Sequence, residues 1–344
     1  MELDQRTRDA IVGIKDRIQA ILVERSAADT PTGEPSAYWS YYCERLRYLM
    51  GLDEEHFARL RDHTWQITGD VYSRYIPPSA SGTRSQLESG FSELWDKLPV
   101  AYRLDEPERT FGIELGDRVV NTDLFRYQRL VVAMHREGLL GDAPPASRTV
   151  LEIGGGYGGL AHQVACCLGN SLARYVIVDL PEVLLLAASY LSIHDGVDDV
   201  FLYDPADPTA TVDQLANGTA RFVLIPNHRL DLVAGVPVDL ALNIASFQEM
   251  TLSQVDGYLS TIASNLVGTL VSFNRPLNLE ANKELEDLRT IFDNYYRWRT
   301  VEMPLTPVVP VWIRANRTAR ALVRRLVGRS TRYSDYELIF AQPT

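Results

Sequence analysis

The chain has 344 residues, enough for two domains of ordinary size, and its 46% hydrophobic content excludes a disordered or fibrous polypeptide. Forty-five acidic residues against 34 lysines and arginines give a net charge of -11, which repels polyphosphate and excludes general nucleic-acid binding. Cys43, Cys166 and Cys167 cannot form a disulfide framework and match no zinc spacing, and no apolar run approaches the roughly 20 residues of a membrane span. The opening residues lack the apolar core of a secretory signal, so a cytoplasmic protein with no integral membrane segment is expected.

The first 140 residues read as mainly helical. Ile11, Ile14, Ile18, Ile21 and Leu22 form one apolar stripe along a helix over residues 4–25. Further helices are expected from about Ala37 to Met50 and from Glu54 to Val71, separated by Gly51. Residues 77–116 are rich in Pro, Ser and Gly, and read as loops around a short helix over Gln86–Lys97. Asn121 and Asp123 offer caps for a helix reaching Arg136, closed by Gly138 and Gly141. The Asp142-Ala-Pro-Pro linker then sets a boundary between a helical segment, 1–141, and a second domain, 142–344.

From Arg148 the texture changes. Short β-rich runs at Thr149–Ile153, Tyr175–Asp179, Arg221–Ile225, Leu240–Ile244 and Thr269–Phe273 alternate with helical patterns at Leu160–Leu168, Glu182–Ser192 and Thr251–Leu266. That alternation predicts a doubly wound, Rossmann-like α/β domain with a parallel sheet. A helix near Leu279–Tyr295 and strands at Arg299–Leu305 and Tyr336–Ala341 follow, the last two separated by an arginine-rich helix over Val311–Val327.

A strand runs directly into a turn with glycines at 154, 155, 156, 158 and 159, and a helix starts directly after it. Such a turn lets a ligand approach the backbone closely. Gly154, Gly156 and Gly159 fit the dinucleotide fingerprint, with Asp179 twenty residues beyond. Glu152, Gly154, Gly156 and Gly158 also fit E-x-G-x-G-x-G, which resembles the first motif of class I S-adenosylmethionine-dependent methyltransferases. Glu152 separates the two. A carboxylate at the strand end repels a pyrophosphate and suits a cationic sulfonium and amino group. No Tyr-x-x-x-Lys pair for short-chain hydride transfer is present. Asp179 can accept hydrogen bonds from both ribose hydroxyls, and Asn227 can bond the adenine edge.

The segments 151–161, 176–187 and 243–250 together resemble a bacterial family of sugar O-methyltransferases, over roughly residues 149–275. The resemblance implies a class I methyltransferase sheet with a reversed terminal strand and S-adenosyl-L-methionine as cofactor. It implies a cofactor site of Glu152, Gly154, Gly155, Gly156, Tyr157, Gly158, Asp179, Leu180, Asn227, Asn243, Ala245 and Ser246. The acceptor it implies is a small molecule, a sugar or a phosphate- or carrier-linked sugar.

Transfer to a hydroxyl benefits from a positioned base. After the fourth strand the chain offers Gln248 and Glu249, where plant-type O-methyltransferases carry a His-Asp pair. A carboxylate can serve if burial raises its pKa. His228, after the third strand, is the rival base. His56, His63, His135, His162 and His194 read as surface or core residues, Cys166 and Cys167 as small core residues, and no metal ligand set is expected. Arg314, Arg317, Arg320, Arg324 and Arg325 make a basic stripe suited to a solvated face, a phosphorylated acceptor or a membrane surface. The aromatic run Tyr38 to Tyr42 fits either a core or a sugar or polyketide pocket. The helical segment is expected to cover the acceptor cleft or to form a homodimer. Transfer to nitrogen or carbon, a dinucleotide-dependent oxidoreductase and a non-catalytic binding module remain as alternatives.

Overall fold

A computed structural model describes residues 3–27, 30, 32–64, 67, 81–141, 143–276, 287–305 and 336–344. The chain divides into two compact units. One comprises Thr68–Leu140 with Glu302–Asp335, and the other Met1–Ile67, Gly141–Val301 and Tyr336–Thr344.

The smaller unit has the helices Ser81–Trp95 and Thr122–Arg136 and an antiparallel hairpin of β1 (Ile113–Leu115) and β2 (Arg118–Val120). The hairpin falls where loops were expected. Its signal was the Gly116-Asp117 pair, since Gly116 takes a φ of 64° that the turn requires. Phe91 and Phe125 pack edge to face at 5.3 Å, and Gly90 is needed because a Cβ there would strike the Phe125 ring. Buried Gln128 accepts from Trp95 Nε1 and from the Leu104 amide, each at 2.9 Å, which ties both helices to the loop.

The larger unit is built on an eight-stranded sheet. Its strands are β3 (Arg148–Ile153), β4 (Leu172–Asp179), β5 (Val200–Leu202), β6 (Phe222–Pro226), β7 (Val238–Ile244), β8 (Leu266–Asn274), β9 (Tyr296–Val301) and β10 (Glu337–Pro343), in the order β5-β6-β4-β3-β7-β8-β10-β9. Neighbours are parallel from β5 to β8, and β10 runs antiparallel between β8 and β9. This is the doubly wound sheet with the reversed end that the sequence predicts. Short β5 and the helix Pro208–Asn217 are additions to that expectation.

The central strands are buried on both faces, as in any sheet covered by crossover helices. On one face Leu151, Ile153, Val176, Val178, Val223 and Ile225 pack with Val255, Leu259 and Ile262 of the helix Leu252–Asn265. Alternation places Glu152, Tyr175 and Ile177 on the other.

The first helix, Gln5–Ala27, belongs to this unit, not to a separate segment ending at 141. Its stripe of Ile11, Ile14, Ile18 and Ile21 is buried, and it packs on the helix Pro181–His194. The reason lies in that second helix. Residues 181–192 are buried on every side, so the sheet alone cannot cover them. The helix expected over Glu54–Val71 closes at Phe57, and short turns deliver the buried Arg61 guanidinium 4.3 Å over the Tyr157 ring. The arginine stripe, and residues 68–71 and 279–286 of expected helices, lie outside the described residues.

Candidate functional site

The site is assembled at the carboxyl ends of β3, β4, β6 and β7, all within the larger unit. Gly154, Gly156 and Gly158 have φ of 76°, 58° and 86°, which side-chain-bearing residues rarely adopt. The Gly158 turn caps the helix Gly159–Leu168. The Gly154 amide donates to the Val178 carbonyl at 2.9 Å, and a Cβ on Gly154 would collide with the Ser246 hydroxyl. A Cβ on Gly155 would press Ile177 and come to 3.3 Å from Glu152 Oε2. The loop is therefore held against β4 on one side and the end of β7 on the other.

Asp179 and the loop are joined directly. Its Oδ2 accepts from the Gly156 amide at 2.9 Å, and its Oδ1 from the Leu180 amide at 2.7 Å. Leu180 itself is the residue before the helix Pro181–His194, which opens on a proline suited to a first helical turn. Buried Glu152 accepts from the Tyr175 hydroxyl at 2.8 Å. Burial raises Glu152 to about 8 despite that bond, with the Asp179 charge adding to the effect. Burial likewise raises Asp179 to about 7 against the two amide donors.

Asn227 and His228, at the end of β6, are gripped by the N-terminal stretch. The Asn227 amide donates to the Thr32 and Gly33 carbonyls, while Thr32 Oγ1 donates to the Asn227 carbonyl at 3.0 Å. Among the described residues Asn227 Oδ1 is buried and accepts no hydrogen bond. His228 Nε2 lies 3.1 Å from Glu24 Oε2, and the Tyr203 hydroxyl donates to Glu24 Oε1 at 2.8 Å. Burial lowers His228 below the ordinary imidazole value, against the raising effect of Glu24. The ring sequence reasoning offered as a rival base thus anchors the first helix.

Asn243, Ala245, Ser246 and Gln248 form the far wall. Asn243 donates to the Ile153 carbonyl at 2.9 Å and accepts from Asn274 Nδ2 at 2.8 Å, so it spans three strand ends instead of facing a ligand by its side chain. Ala245 has a φ of 58°, a strained conformation held by its amide bond to the Phe273 carbonyl at 2.8 Å. Gln248 is not placed as an acid or base. It donates to the Tyr336 hydroxyl at 3.0 Å and accepts from the Arg275 amide at 2.9 Å, which fixes the turn carrying its neighbour.

That neighbour, half-buried Glu249, is the focus of the acceptor side. Its Oε2 accepts from Trp39 Nε1 at 3.1 Å, and its carbonyl accepts from Ser36 Oγ at 2.6 Å. Burial raises Glu249 to about 7, with the Trp39 and Gln248 donors and Arg275 opposing and Asp179 adding. Tyr38, Trp39 and Tyr42 cluster with ring centroids 4.9 to 6.0 Å apart on the helix Ala37–Leu46. Burial and the Glu249 charge both push Tyr38 upward. Sequence reasoning noticed this aromatic run but had no signal to bring it to Glu249. It missed Arg25, which holds Glu182 through paired contacts of 2.7 and 2.8 Å, and Gln248's partner Tyr336.

Among the described residues no group of three or more His, Cys, Asp or Glu is arranged to hold a metal ion, and no helix is long and apolar enough to cross a membrane.

No protein-family model matches the chain, and no curated relative does. Solved structures similar to parts of it include phosphoethanolamine N-methyltransferase 2 of Haemonchus contortus with S-adenosyl-L-methionine, at 14% identity and a TM-score of 0.35 over 62% of this chain and 52% of that one. An O-methyltransferase family protein from Burkholderia thailandensis matches at 12% and 0.34 over 64% and 59%. Magnesium protoporphyrin IX methyltransferase from Synechocystis with bound SAH matches at 14% and 0.36 over 76% and 98%. The matched region spans little more than half the length of the first two. These are partial likenesses, and the functional reading rests on the residues of the site.

Proposed function

We propose that the chain is an S-adenosylmethionine-dependent methyltransferase acting on a hydroxyl of a small-molecule acceptor, a sugar or sugar-containing metabolite, with Glu249 as the base. The observation that carries this reading is the set of carboxylates at adjoining strand ends. Glu152, Asp179 and Glu249 are all raised by burial, and Asp179 adds its charge effect to both of the others. A cationic ligand relieves that cost, whereas a pyrophosphate adds to it. S-adenosylmethionine fits as a cation with a ribose and an adenine. The glycine turn admits it closely, Glu152 faces its positive charge, Asp179 meets the ribose, and Asn227 Oδ1 accepts from the adenine edge.

Bound there, the cofactor supplies an electrophilic methyl group. The chain's own contribution is to take the acceptor proton on the Glu249 carboxylate, whose pKa near 7 suits a base at neutral pH. Trp39 holds one oxygen of that carboxylate. Tyr38 and Tyr42 offer ring faces against which a sugar can lie, as the sequence pattern allowed. The covering role expected of residues 1–141 falls on the stretch from Glu24 to Tyr42. Transfer to an amine nitrogen has less need of such a base, which is why oxygen is preferred.

Calorimetric titration tests the cofactor. Micromolar binding of S-adenosylmethionine or its demethylated product, with none of NAD or NADP, is expected. Binding of a dinucleotide alone would overturn the assignment.

A further inference from the structure

Away from this site, the helix Gly159–Leu168 carries a second cluster of reactive groups. Cys166 is exposed, and its Sγ lies 3.9 Å from His162 Nε2, one helical turn earlier. The other ring nitrogen, Nδ1, lies 2.8 Å from Asp195 Oδ2, at the end of the helix Pro181–His194. The imidazole is largely buried and the carboxylate almost wholly so, with 13% and 5% of their side chains exposed. A thiol, an imidazole and a carboxylate therefore stand in series, the cysteine exposed and the other two largely buried. Sequence reasoning placed Cys166 in the core; the structure puts vicinal Cys167 there and Cys166 outside.

The surroundings keep the ring charged. Burial disfavours the His162 imidazolium, but the Asp195 and Cys166 interactions outweigh it and raise the group to about 10. The neighbouring His194, 6.3 Å away ring to ring, is pushed down to about 4 by burial and by the His162 charge, so it does not compete for the proton. Tyr190 packs edge-on against both rings and completes the wall. A fixed imidazolium beside an exposed thiol stabilises the thiolate, the nucleophilic form.

We propose that Cys166 is a thiol-exchange site, primed by the His162–Asp195 pair, that takes low-molecular-weight disulfides. Cys166 gives up its proton to solvent beside the charged His162 ring. The thiolate attacks one sulfur of the disulfide, a new S–S bond forms to Sγ, and the old one breaks. Its electron pair leaves on the second sulfur, which regains a proton, so one thiol is released for each mixed disulfide formed.

The test uses the full chain with oxidised glutathione as the probe, following adducts by intact-mass and peptide mass spectrometry at pH 6 and pH 8. An ordinary thiol with a pKa near 8.5 slows by nearly two orders of magnitude over that interval. Cys166 is expected to slow by less than tenfold and to be the residue modified, with buried Cys43 and Cys167 unreacted. His162→Gln is expected to slow the reaction at pH 6 at least tenfold and to restore the steep profile. Asp195→Asn, which keeps the ring but removes its partner, is expected to do the same and stands in should His162→Gln fail to fold. A steep profile in the unaltered chain, or a rate at pH 6 that survives the variants, overturns the proposal.

Discussion

The indole of Trp39 donates to the carboxylate of Glu249 across 210 residues of sequence, at 3.1 Å. A hydrogen bond to the charged form of an acid favours that form, so Trp39 works against the burial that raises Glu249. Trp39→Phe keeps the ring face and deletes the donor. The midpoint of the rising limb of the kcat–pH profile is expected to move upward, leaving the plateau at high pH little changed. A midpoint that stays in place separates the indole from the base.

Glu249→Gln removes the proton acceptor and preserves the shape. Turnover is expected to fall about 10²- to 10⁴-fold, the usual worth of a positioned base, with cofactor affinity within a few-fold of the unaltered chain. In the unaltered chain, kcat should rise tenfold per pH unit up to about pH 7 and then level off, because only the ionised carboxylate takes a proton. Retention of most activity by the variant, with cofactor bound, excludes Glu249 as the base.

Ligand-free stability should carry the opposite slope. Glu152, Asp179 and Glu249 each have a folded pKa above the unfolded value near 4. The stability they contribute is complete below about pH 4 and is lost as pH rises through 7 and 8. Tm is expected to fall between pH 5 and pH 8 without cofactor. Glu152→Gln should recover on the order of 2 kcal/mol at pH 8 while weakening cofactor binding. Thermal scans at four pH values check both, and a flat Tm would count against buried charge at the strand ends.

Gly154 faces two constraints at once, a φ of 76° and the Ser246 hydroxyl where a Cβ would lie. Gly154→Ala is expected to cost at least ~1–2 kcal/mol and to abolish measurable cofactor binding. Adding Ser246→Gly removes the collision but not the backbone strain, so recovery should be partial. Full recovery would place the whole defect in the collision.

The β-rich runs of the sheet were legible because parallel strands buried on both faces read as unbroken apolar runs, and the glycine turn because its backbone angles exclude other residues. The reversed end was legible from two β-rich runs after the fifth βα unit. What was not legible depends on distant pairing. Glu249 was visible as a polar residue after a strand, but its raised pKa comes from burial completed partly by Ser36 and Trp39. His228 carries the same residue signature as a base, and only the Glu24 carboxylate of the first helix reveals its structural part. For the same reason His228→Asn is expected to lower Tm while leaving the kcat–pH midpoint in place.

The grip of Thr32 and Ser36 on Asn227 and Glu249 spans 195 and 213 residues. During synthesis the amino-terminal stretch leaves the ribosome long before its partners exist. The stripe of Ile11, Ile14, Ile18 and Ile21 must then wait, uncovered, until the helix Pro181–His194 has been made. An early unfolding step that frees this stretch is expected to silence turnover before the sheet itself is lost.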